Sequence, residues 1–219
     1  MTTSSPVYYP RHQKLWELIP HNNQDLAHDS EHILRVYRWA VQLAADEEQD
    51  PDLAGAAALI HDMVNIPKES EDRSLGSEKS ALAGRDVLPL ADYTQEEIDQ
   101  ITEAVSTCSW SRGKDPTSTL GAILQDADRL DAIGAIGIMR NIACAQAMRD
   151  RGNMGSLYDP ADPFGKERTT LDDKKFALDH FSLKLLKIAK GMHTESAKQE
   201  AQRRHRFMLQ FLFELAQEI

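Results

Sequence analysis

Apolar positions recur along this chain with a helical period. Ile33, Val36, Tyr37, Ala40 and Ala44 form one stripe, which predicts a helix from Asp29 or Ser30, both good N-caps, to about Asp46. Asp50-Pro51-Asp52 opens an Ala-rich helix, LAGAAALIHD, whose small residues allow neighbours to approach closely, and Asn65-Ile66-Pro67 breaks it. Before these, Leu15 to Ile19 reads as a short helix closed by Pro20. After them comes a polar loop at 65–76, then a helix from Ser77 to Val87. Thr94 and Glu97 make a capping box for a helix ending near Cys108. The turn-rich SWSRGKDPTST precedes a helical stretch at 119–149 with a break at Gly134 or Gly137. Residues 151–170 form the longest loop, of a length that is usually functional or disordered. Two closing helices carry the stripes Leu178, Phe181, Leu185, Ile188 and Phe207, Phe211, Leu215.

Composition agrees with an all-α fold. There are 25 Ala and 23 Leu against 6 Val and 10 Thr, a mix that favours helix over strand. With 219 residues, 41% apolar and 27% charged, the chain is expected to form one domain with a real core, its motifs at 26–140 and its C-terminal helices at 171–219 packed on them. The net charge of −10 argues against a nucleic-acid or anionic-membrane binder. Apolar runs stop at eight residues, Leu53 to Ile60 and Ala132 to Met139, where a membrane span needs about 20. MTTSSPVYYPRHQ has no apolar signal segment, so a cytoplasmic location is expected. Cys108 and Cys144 form neither a disulfide framework nor a CxxC knuckle.

Chemistry gathers at a few polar positions beside these apolar faces. His-Asp occurs twice, at His28-Asp29 and His61-Asp62. Chance alone supplies roughly 0.7 such pairs, so setting must decide. His61 follows Ala57 and Ala58 on the buried face and leads directly into a polar loop. His32 stands one turn before Val36, and Asp128 shares a helical face with Leu124, Asp131 and Ala135. Together, His32, His61, Asp62 and Asp128 would offer two imidazoles and two carboxylates, a donor set suited to Mn²⁺, Fe²⁺, Zn²⁺ or Mg²⁺. On spacing alone, separate capped or salt-bridged residues fit equally well.

Three motifs, HDSEHILRV, AALIHDMVNIPK and ILQDADRLDAIGAIGIMR, resemble the HD-domain metal-dependent phosphohydrolase superfamily, in particular its YedJ/YpgQ-like branch. The resemblance spans about 26–140 and extends to LYDPADPFGKERTTLDDKKFALDHFSLKLLKIAKGMHT. It implies a helical bundle and one divalent ion, Mn²⁺ first, with Mg²⁺, Fe²⁺, Co²⁺, Ni²⁺ or Zn²⁺ as alternatives. The implied ligands are His32, His61, Asp62 and Asp128, with Asp62 and Lys68 as catalytic residues. Similar proteins also carry a lysine at the place of Lys68, which implies a phosphate contact; a solvated loop lysine is the other reading. Arg35 and Arg129 could lean toward substrate, although ion pairing is the ordinary role of each. Asp131 could orient a ligand, and His180 and Lys184 share a helix face that could line the pocket. His12, His21, His193 and His205 have no evident convergent partners and read as surface or structural. The branch usually has His-Ser where this chain has STCSWSRG, placing Cys108 at the histidine.

The implied activity is hydrolysis of a small phosphorylated metabolite, foremost a (deoxy)nucleoside triphosphate giving monophosphate and pyrophosphate. A 5′-nucleotidase-type monophosphatase and a non-catalytic nucleotide-binding or sensing module are the alternatives. Two-metal relatives need further histidines before the distal aspartate, and 63–127 contain none. A homodimer is compatible with this reading.

Overall fold

The computed structural model describes residues 6–21, 29–64, 66, 70–109, 113–153 and 155–219. Those residues form helices α1 (Pro10–Leu18), α2 (Ser30–Asp46), α3 (Pro51–Ile60), α4 (Gly76–Val87), α5 (Gln95–Ser106), α6 (Thr119–Asp131), α7 (Gly134–Asp150), α8 (Leu186–Ile188) and α9 (Glu195–Glu218). There is no sheet among them, only an isolated parallel bridge between Ser156 and Phe176, so the fold is all-α. No helix of the described residues is long and apolar enough to cross a membrane. The described residues divide into two compact units, one running up to Asp128 and the other from Arg129 to Ile219.

In the first unit α3 packs on α1, α2, α4 and α5. Ala54 through Ile60 are all buried, so this helix has no solvent face and needs small side chains on most sides. Local signals set the boundaries. Asp29 accepts a hydrogen bond from His32 N and caps α2, and Asp50 caps α3 ahead of Pro51. Thr94 and Glu97 form the reciprocal capping box of α5. Two details differ from the pattern. α1 begins at Pro10 rather than near Leu15, because its first turn is polar and buries His12 instead of an aliphatic residue. Part of the polar 65–76 stretch winds into a 3₁₀ turn at Glu71–Leu75.

In the second unit the break falls between α6 and α7. Gly134 has φ +79°, a left-handed conformation that a Cβ would strain. Arg204 of α9 donates to the Leu130 carbonyl at 2.6 Å across this break. The long 151–170 loop is built around Arg168. Its guanidinium donates to both oxygens of buried Asp179 at 2.9 and 2.7 Å and lies over the Phe176 ring. Asp162 accepts from three successive amides, Lys166, Glu167 and Arg168, each at 2.9 Å. Leu178, Phe181, Leu185 and Ile188 are buried as their stripe predicts. The backbone that carries them is a π turn at Phe181–Leu185, then α8, then a 3₁₀ turn at Ala189–Gly191. In α9 the predicted stripe holds only in part: Phe211 is half-buried and stacks on buried Phe181, with ring centroids 6.0 Å apart. Ala197, Ala201 and Met208 are the buried residues, and Phe207 is 45% exposed.

Candidate metal centre

Three elements of the first unit bring the polar candidates together. The Asp29 cap fixes the first turn of α2, which carries His32, and His61 is the C-cap of α3 with Asp62 directly after it. Asp128 comes from α6. Fully buried Gln125 anchors that helix by donating to the carbonyls of Thr107 at 2.9 Å and Lys114 at 3.2 Å. The sequence pattern did not single out Gln125. Its signal in the sequence is only its place one turn before Asp128.

His32, His61 and Asp128 each present one ligand atom within 4.8 Å of the others. His32 Nε2 stands 3.6 Å from Asp62 Oδ2 and 3.7 Å from Asp128 Oδ1; His61 Nε2 is 3.9 Å from each. Both imidazoles are buried, while the two carboxylates are about a quarter to a third exposed. The site therefore has a buried floor of imidazole rings and a more open rim of negative charge.

His61 Nδ1 lies 2.7 Å from the Ala58 carbonyl, an acceptor only, so Nδ1 carries a proton and Nε2 is the nitrogen available to a metal ion. That Nε2 is buried and has no hydrogen-bond partner among the described residues. A buried nitrogen lone pair without a donor is costly unless a cation meets it. Ligand atoms held about 2.1 Å from one ion stand about 3.0 to 4.2 Å apart, and the four His–Asp separations fall in that range. Two neutral imidazoles and two carboxylates also balance a divalent charge. The donor set fits a divalent metal ion.

The other expected site residues are more scattered. Arg35 is half-buried on α2, one turn past His32. Arg129 belongs to the second unit, where it donates to the Gly191 carbonyl at 2.6 Å and lies 2.7 Å from His193 Nε2. Buried Asp131 accepts from Arg140 at 2.9 Å. His180 and Lys184 are also in the second unit, at the start of and within the π turn, with His180 Nδ1 2.6 Å from Asp173. Lys68 lies outside the described residues. Cys108 is buried directly after α5. Two histidines expected to lack convergent partners have them: His193 meets Arg129, and His12 is fully buried between Tyr37 and Asp52.

The HD domain pattern matches residues 29–133, which include all four candidate ligands. The Bacillus subtilis protein YpgQ is 33% identical over 201 residues, covering 90% of this chain and 87% of YpgQ. The chain belongs to the HD-domain family. Solved relatives share the fold over nearly the whole length. YpgQ in complex with ADP is 30% identical with a TM-score of 0.70, covering 95% of each chain. A Lactobacillus plantarum structure is 28% identical with a TM-score of 0.72, covering 97% of this chain and 98% of its own. An HD-superfamily hydrolase from Bacillus thuringiensis is 35% identical with a TM-score of 0.64, covering 87% and 86%.

Proposed function

We propose that this HD-domain protein is a divalent-metal-dependent phosphohydrolase whose ion is held by His32, His61, Asp62 and Asp128. The observation that carries the reading is the convergence of two buried imidazole nitrogens and two carboxylates within ionic reach. A bound divalent ion would supply a water of lowered pKa and polarise a phosphoryl oxygen. The residues do the rest. The Ala58 carbonyl keeps the His61 ring in one tautomer and orientation. The exposed rim of Asp62 and Asp128 leaves the side toward solvent open to substrate, and Asp62 can accept a proton from an attacking water there. Mn²⁺ is the preferred ion, since the mixed nitrogen and oxygen donor set suits it.

The substrate is a nucleotide, foremost a (deoxy)nucleoside triphosphate. Two features support that: the relative YpgQ is known in complex with ADP, and Lys68, Arg73 and Lys79 follow the His-Asp pair closely in sequence. Against a net charge of −10, such a local basic group is what a polyphosphate needs. Lys68 is assigned phosphate contact, and Arg35, Arg129, His180 and Lys184 remain substrate-binding candidates. Water adds across the α–β bond, giving monophosphate and pyrophosphate. Chromatography of products from (deoxy)nucleoside triphosphates with Mn²⁺ tests this. Equal amounts of monophosphate and pyrophosphate are expected. Orthophosphate from a nucleoside monophosphate, without triphosphate turnover, would overturn it.

A further inference from the structure

We propose that His12 is a positioning residue for the metal centre, acting as a hydrogen-bonded spacer that fixes the register of α2 against α3. This rests on the assignment of His32, His61, Asp62 and Asp128 as metal ligands. His12 is fully buried on α1 and touches both helices that carry the histidine ligands. Its Nδ1 lies 2.9 Å from the Tyr37 hydroxyl of α2. Its Nε2 lies 2.8 Å from the Asp52 carbonyl and 2.9 Å from Asp52 Oδ1, in the first turn of α3.

The chemistry of the partners orders these bonds. Both Asp52 atoms are acceptors, so Nε2 carries the hydrogen and donates. The Tyr37 hydroxyl accepts from the Tyr8 amide at 2.7 Å and is also held by His12 Nδ1 at 2.9 Å. Close contacts thus run unbroken through Tyr8, Tyr37, His12 and Asp52. Asp52 is held in turn by Tyr93 at 2.7 Å and Arg11 at 3.0 Å. A second, independent feature shows how close the helices run here. A Cβ on Gly55 of α3 would lie 2.4 Å from His12 Cε1 and 2.8 Å from Tyr37 Cε2. Glycine is required because α3 is pressed against the imidazole.

This pin lies close to the ligands along both helices. Tyr37 is five residues past His32 on α2, about 7.5 Å along the axis, and Gly55 is six residues before His61 on α3, about 9 Å. α2 and α3 pack on each other, and the rings of His32 and His61 are 5.3 Å apart. Helices are stiff over such lengths, so slippage at the pin becomes a displacement of one histidine relative to the other. Metal affinity falls steeply with misplaced ligands; loss of a supporting contact typically costs roughly 10- to 100-fold.

The test titrates Co²⁺ alone into metal-free full-length protein, reading affinity by calorimetry and ligand geometry by the visible absorption bands of bound Co²⁺. His12→Ala is expected to weaken Co²⁺ binding by roughly tenfold or more and to shift those bands. Tyr37→Phe, which removes one oxygen and little volume, should do the same to a smaller degree. His12→Gln, whose amide can still donate toward Asp52, should recover most of the affinity. Ile188→Ala, a cavity in the buried core of the second unit, should lower thermal stability without moving affinity or spectrum. Wild-type affinity and spectrum in both His12→Ala and Tyr37→Phe overturn the proposal. So does a loss in Ile188→Ala that matches theirs at equal loss of Tm. A wild-type protein that binds no Co²⁺ overturns the metal assignment and this inference together.

Discussion

Gly55→Ala sets two well-known magnitudes against each other. By helix propensity alone, alanine inside α3 should stabilise the protein by about 1 kcal/mol. The surroundings oppose it. The added Cβ would sit 2.4 Å from His12 Cε1, 2.8 Å from Tyr37 Cε2 and 3.0 Å from His12 Nδ1. Ordinary carbon contacts begin near about 3.5 Å, so something must move by about 1 Å. Neither neighbour can swing into solvent, since both are 0% exposed, and each is tied by hydrogen bonds. Overpacking in such a site costs about 1–3 kcal/mol, and the tied neighbours place this case at the upper end. The net expectation is a loss of about 2 kcal/mol, which for a chain of this size is a fall in Tm of about 4–8 °C. Differential scanning calorimetry of the two proteins measures it directly. A rise in Tm by the few degrees that propensity predicts would mean that α3 has room at Gly55, and the tight-pin argument would fall with it.

Asp52 gives a pH test. Burial pushes its carboxyl up, but hydrogen bonds from His12 and Tyr93 outweigh that and hold it down to about 2, against an ordinary 3.8. A depressed carboxylate stabilises the fold fully above its unfolded value and loses that contribution as pH falls through the folded one. Asp52→Asn should therefore be less stable than wild type at pH 7, by about 1–2 kcal/mol, with the gap closing between about pH 4 and 2 in urea melts; a gap that does not change with pH would contradict the assignment. Arg168→Ala strips buried Asp179 of its two guanidinium bonds. Amide hydrogen exchange across 166–178 should accelerate by roughly tenfold or more, and exchange as slow as in wild type would show that the remaining contacts of Asp162 and Asp172 order the segment without the guanidinium.

Elements with strong local signals were legible in the sequence. α2 runs from Ser30 to Asp46 because an Asp cap and an apolar stripe agree, and Thr94 with Glu97 starts α5. The break near Gly134 was visible because glycine supplies the positive φ that the turn needs. α1 was cut short because His12 is buried through hydrogen bonds, and a buried polar residue leaves no mark in an apolar pattern. The buried side of α9 was read correctly at Phe211, which stacks on Phe181, but not at Phe207. Ala197 and Ala201 pack at a close approach, whereas the larger Phe207 remains outside. The candidate ligands were legible as motifs, but spacing could not bring them together. Their meeting depends on α2, α3 and α6 converging, a tertiary fact. Anchors such as Gln125 and His12 were missed because each acts through backbone or hydroxyl partners far away in sequence.

The central claim is that His32, His61, Asp62 and Asp128 form one metal centre, and metal content measures it most directly. Elemental analysis of protein equilibrated with Mn²⁺ and freed of excess should find about one ion per chain. His61→Ala removes a buried nitrogen whose lone pair faces two carboxylates, and should lower affinity by roughly 100-fold or more, leaving the variant without bound metal. An unchanged metal content in His61→Ala, or none in the wild type, would contradict the account.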